Sequence, residues 1–97
     1  MKWKRSERLV DMTHYLLEHP HKLIPLTYFA DIYDSAKSSI SEDLGIVKET
    51  FEDRGIGLLM TVPGAAGGVK YVPKLHEDEI RGIMGELIEE LSHSDRL

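Results

Sequence analysis

A chain of 97 residues, 41% of them hydrophobic, has enough apolar material for one small core and too little for two. It has no cysteine, which excludes disulfides and thiolate zinc sites, and no apolar run near the roughly 20 residues that span a bilayer, so a soluble cytoplasmic protein without membrane contact is expected. The formal charge of −5 is the wrong sign for simple attraction to phosphate, but three bases face seven acids after Tyr71 while Lys2, Lys4, Arg5 and Arg8 gather positive charge at the amino end.

Ser6 is placed to cap a first helix through Leu9, Met12, Leu16 and Leu17, which stops before Pro20 because proline disfavours helical backbone in the residue ahead of it. His14, His19 and His21 lie in or just after this helix. They read as solvated helix-end histidines, and no metal site is expected. Leu23-Ile24-Pro25-Leu26 reads as extended backbone feeding a second helix, Leu26 to Tyr33, with Phe29, Ile32 and Tyr33 toward the core and Ala30 where helices cross. The brief, turn-rich segment Asp34 to Lys37 then leads into a third helix that buries Ile40, Leu44, Val47 and Phe51 at spacings of four, three and four. Two amphipathic helices across such a turn form a helix-turn-helix, whose second helix commonly enters the major groove of DNA.

Either Ser35 or Ser39 is the expected N-cap of the third helix, and Ser39 with Glu42 three residues on has the capping-box pattern. Glu42 therefore has two readings, a capping partner or an acceptor for a cytosine amino group. The outward face contains Ser38, Glu42, Gly45 and Glu49, flanked by Ser41 and Lys48 on one side and by Ser39 and Ile46 on the other. Lys37, Ser38, Ser39 and Ser41 are candidate phosphate or base contacts, since hydroxyls and backbone N–H groups at a helix start bind phosphate without a large net charge. Lys48 joins them from the flank, and Lys4 and Arg5 from the amino end. Gly45 lowers helix stability by roughly 1 kcal/mol relative to alanine, for close packing or for the approach of another surface. Glu49, Glu52 and Asp53 would repel a duplex lying along the whole helix, so only its first turns are expected to approach DNA.

Arg54-Gly55 is a helix stop, and two β-prone runs, Ile56 to Pro63 and Val69 to Pro73, flank the glycine-rich bend Gly64-Ala65-Ala66-Gly67-Gly68. A hairpin directly after a recognition-type helix is the wing of a winged helix. The bend lacks the lysine and hydroxyl residue of a phosphate-binding P-loop and opens into a strand, so Gly67 and Gly68 read as flexible backbone lying close to a DNA strand, with Lys70 as the nearby cation. From about Leu75 a last helix places Ile80, Ile83, Met84, Leu87, Ile88 and Leu91 in one wide stripe, with Glu77 to Glu79 in its first turn. That stripe suits packing on the domain and equally a partner copy or a following domain. Ser92 to Leu97 trails off as though inside a longer protein.

The expected fold is mainly α with a small β-hairpin, a winged helix-turn-helix over residues 1–74 followed at 75–97 by a C-terminal helix and linker. Ile40-Ser41-Glu42-Asp43-Leu44, the wing Val62-Pro63-Gly64-Ala65-Ala66-Gly67-Gly68-Val69-Lys70-Tyr71 and the opening Arg8-Leu9-Val10-Asp11 resemble the amino-terminal domain of the purine operon repressors of Gram-positive bacteria. The resemblance runs from the start to about Lys74. It implies a dimer that binds double-stranded DNA at control sites of purine-synthesis genes and represses them. It also implies a following phosphoribosyltransferase-like domain that binds phosphoribosyl pyrophosphate, with no cofactor in the present residues. The alternative reading is a winged helix used for protein contacts or dimerisation, motivated by the acidic balance and the striped last helix. An enzyme is not expected, because no nucleophile, base and orienting group fall at recognisable spacing.

Overall fold

A computed structural model describes residues 3–64 and 67–93. The elements run α1 (Arg5–Glu18), α2 (Leu26–Tyr33), α3 (Lys37–Arg54), β1 (Gly57–Val62), β2 (Gly68–Pro73) and α4 (Glu77–Ser92). This is the winged helix-turn-helix with an added C-terminal helix. Lys2, the hairpin-tip residues Ala65 and Ala66, and the tail 94–97 lie outside the described residues.

The core forms where apolar faces of different elements meet. Leu9, Met12 and Leu16 of α1, Phe29 and Tyr33 of α2, Ile40, Leu44, Val47 and Phe51 of α3, and Leu59, Val69 and Tyr71 of the hairpin are all buried. Ile32 departs from expectation: it is 41% exposed, because the short α2 turns Phe29, Ala30 and Tyr33 inward and leaves Ile32 on the opposite side with Tyr28. The Tyr33 hydroxyl donates to Asp11 Oδ2 at 2.6 Å, and Trp3 packs edge-on against the Tyr33 ring. Burial first, then the Asp11 carboxylate, push the Tyr33 phenol well up from its ordinary value.

β1 and β2 pair antiparallel with Leu59 opposite Tyr71 and Met60 opposite Lys70. Ile24 adds a bridge to the other edge of β2, exchanging N–H···O bonds of 2.8 Å in both directions with Val69. The extended stretch before α2 thus serves as a third, one-residue strand. On the far side of α1, α4 buries Ile80, Leu87 and Leu91. Arg54, in the last turn of α3, reaches Glu86 at 3.3 Å and Glu90 at 3.1 Å, which fixes α4 to the back of the domain.

The helix starts differ from the sequence reading. α1 begins one residue before Ser6, with Lys4 as N-cap and its backbone N–H donating to the Glu7 carboxylate at 2.8 Å. α3 begins at Lys37 with Ala36 as N-cap, so neither Ser35 nor Ser39 fills that role. Asp34 in the left-handed conformation ends α2; Ser35 then donates its N–H to the Ala30 carbonyl and its hydroxyl to the Tyr33 carbonyl at 3.1 Å. The Ser35 side chain therefore closes α2 and leaves the start of α3 to its backbone. Gly55 ends α3 in the left-handed conformation, as expected.

Candidate nucleic-acid interface

α3 and the hairpin are the two walls of one groove. Ser41, Gly45 and Lys48 line it from α3, and Leu59, Thr61 and Pro63 from the β1 side. Toward the hairpin tip the depression continues past Thr27, Lys37 and Gly64. No acidic side chain lines either part among the described residues, and α4 with its acids contributes nothing to the lining. Lys37 and Lys48 are exposed and enter no ion pair among the described residues. A cation without an internal partner keeps its full charge for a ligand, whereas a paired one must break a contact first.

The structure brings together only part of the candidate set. Lys37, Ser41, Lys48, Gly67 and Gly68 share the groove, and Ser38 is exposed one turn before Glu42. Ser39 is half-buried on the α1 side of the helix. Lys4 is exposed at the start of α1. Lys70 pairs with Met60, and because strand faces alternate, it lies on the hairpin face opposite Thr61 and away from the groove. With it there lie the exposed Leu58 and Met60.

Gly67 and Gly68 are buried rather than open. A Cβ on Gly68 would sit 2.1 Å from the Ile24 carbonyl oxygen, and one on Gly67 would sit 1.9 Å from that of Val62. Their lack of a side chain has an intramolecular cause, the close approach of the hairpin to the Ile24–Pro25 backbone and to itself. Gly45 is the reverse. Nothing lies within 4 Å of a Cβ placed there, so internal packing does not explain it, and it leaves the α3 wall of the groove low.

Beside the groove stands a charge cluster that sequence reasoning missed. The Asp43 side chain is fully buried and accepts from Arg8 Nε at 2.5 Å and Arg8 Nη2 at 3.4 Å. Arg8 Nη1 donates to the Trp3 carbonyl at 3.1 Å. Arg5 lies with Nε 3.3 Å from Asp43 Oδ1 and Nη2 3.2 Å from Glu42 Oε2. A buried carboxylate is tolerable only when paired in this way, and the pairs lock α3 against α1. Arg5 is accordingly engaged with two acids of α3. The signal was present: Asp43 falls between Ile40 and Val47 on the buried face, where an acid demands a cation. Glu42 is not a capping partner, since α3 starts two residues before Ser39; its contact is Arg5.

Comparison with known proteins follows the same lines. The family described as bacterial purine repressor, N-terminal, matches residues 4–73. The chain is 60% identical over its 97 residues to the purine biosynthesis transcriptional repressor PurR of Bacillus subtilis. It is 45% identical over the same length to a probable purine biosynthesis transcriptional regulator PurR of Streptococcus pneumoniae. Over 94 residues it is 42% identical to a purine biosynthesis transcriptional activator PurR of Lactococcus lactis. All of the chain aligns with the first two and 97% of it with the third, while it spans only 34–35% of the length of these relatives. The chain belongs to the family of bacterial purine repressor N-terminal domains.

Proposed function

We propose that this domain binds double-stranded DNA at control sites of purine-synthesis genes and thereby represses their transcription. The observation that carries the reading is the groove between α3 and the hairpin, where, among the described residues, Lys37 and Lys48 stand without an ion-pair partner beside Ser41 and no acid lines the walls. In this reading the first turns of α3 enter the major groove and the hairpin follows the adjacent backbone. Relatives named repressor and activator share the domain, so contact with DNA is the common element. The sign of regulation is set by where the protein sits relative to the promoter, and the 60% identity to a repressor favours repression here. The active form is a cytoplasmic homodimer, and phosphoribosyl pyrophosphate acts through residues other than these.

A second reading, a module for protein contacts, rests on Leu58 and Met60, which are 41% and 47% exposed on the outer hairpin face. Titration of the chain against a purine-operon control duplex and a scrambled duplex, at several salt concentrations, decides between them. DNA binding predicts preference for the control duplex and a steep linear loss of log affinity with log salt as phosphate contacts release counterions. Equal, salt-indifferent failure on both duplexes would favour the protein reading.

A further inference from the structure

Granting that the domain binds DNA, we infer that Glu42 reads the amino group of a cytosine in the major groove, with Arg5 as the residue that orients it and balances its charge. Glu42 lies in the second turn of α3, near the centre of the outward face, and its side chain is 70% exposed. Such a carboxylate is an unusual thing to present to a polyanion. It is not spent on the helix start, because Ala36 holds that position. Among the described residues only Oε2 takes a hydrogen bond, from Arg5 Nη2 at 3.2 Å, which leaves Oε1 available to an outside donor.

The chemistry of base edges selects that donor. Guanine offers O6 and N7 and thymine O4 in the major groove, all acceptors that repel a carboxylate. Adenine has an amino donor, but the neighbouring N7 acceptor suits the amide of asparagine or glutamine. Cytosine presents an amino donor with no acceptor beside it, and a carboxylate is its natural partner. Arg5 makes the approach possible. One guanidinium spans Glu42 and the buried Asp43, so it is anchored from below and holds the exposed carboxylate in one orientation. It also cancels the charge that would otherwise repel the phosphates on either side.

The test begins with a duplex enriched from a randomised pool by the wild-type chain. Each cytosine is then replaced singly by 2-pyrimidinone, which lacks only the amino group, and affinities are measured for wild type, Glu42→Ala, Arg5→Ala and the double variant. In wild type one cytosine, or a symmetry-related pair, is expected to show about a tenfold or greater loss on removal of its amino group. Glu42→Ala should abolish the penalty at that position and keep it elsewhere. Arg5→Ala should weaken binding of the enriched duplex, and adding Glu42→Ala should restore part of it. An arginine that merely held a phosphate would show no such rescue. An enriched duplex whose penalty profile is the same in wild type and Glu42→Ala overturns this inference alone. Failure to enrich any duplex overturns the DNA reading and this inference with it.

Discussion

Replacing Asp43 by alanine tests the claim that a buried ion pair fixes the position of the recognition helix. The Asp43 side chain is fully buried and the Arg8 side chain 10% exposed, so the change strands a guanidinium where water barely reaches it. Breaking one side of such a pair costs about 3–5 kcal/mol. Arg8 keeps the Trp3 carbonyl as an acceptor, and Arg5, at 41% exposure, returns to solvent with little loss, which sets the expectation at the lower end, about 3 kcal/mol. For a domain of this size that lowers Tm by roughly 12–24 °C. Urea denaturation followed by tryptophan fluorescence gives the free energy directly, with Trp3 as the probe and an unchanged m-value as the check that only stability moved. The double replacement Arg8→Met with Asp43→Leu should recover most of the loss, since an apolar pair of similar volume is commonly no worse than a buried ion pair. A loss under about 1 kcal/mol in Asp43→Ala, or a double variant as unstable as the single one, would refute the reasoning from desolvation.

Other expectations follow from the same geometry. Gly68→Ala drives a methyl group into the Ile24 carbonyl, 2.1 Å away, and should destabilise the hairpin sharply, whereas Gly45→Ala meets nothing and should raise thermal stability by roughly 0.5–1 kcal/mol while weakening DNA binding. Calorimetry and a duplex titration on both variants check the pair. Lys48→Ala should weaken binding to all duplexes and reduce the salt slope by about one, with a smaller change for Lys70→Ala, because only Lys48 lines the groove. Folded Tyr33 holds its proton in a range where the unfolded phenol, with an ordinary value of 10.0, has lost it. Its contribution to stability is therefore full below pH 10 and falls as pH rises beyond that value. Alkaline denaturation curves should flatten in Tyr33→Phe, which at neutral pH loses about 1–2 kcal/mol with the bond to Asp11.

The sequence reads well wherever a decision is local. The bounds of α2, the Gly55 stop, the buried row Ile40, Leu44, Val47 and Phe51, and the hairpin after α3 follow from periodicity and from residues with strong backbone preferences. What escaped it depends on what lies across. A serine hydroxyl can accept from the N–H groups that open a helix or donate to a carbonyl that ends one, and only the path of the turn decides that Ser35 closes α2. Gly68 reads as pliable because glycine permits both freedom and contact, and the Ile24 backbone that selects contact is more than forty residues away in the chain. The candidate site follows the same rule. Lys37, Ser41 and Lys48 were visible because one helix carries them, while Arg5 changed character because its partners sit on another element. That pairing also resolves the apparent conflict between a net charge of −5 and a polyanionic partner. Asp43 and Glu42 are answered by Arg8 and Arg5, and Glu86 and Glu90 by Arg54 at the back of the domain. Lys37 and Lys48, which have no ion-pair partner among the described residues, line the groove, and over distances of a Debye length, about 8–10 Å, this local balance counts for more than the total.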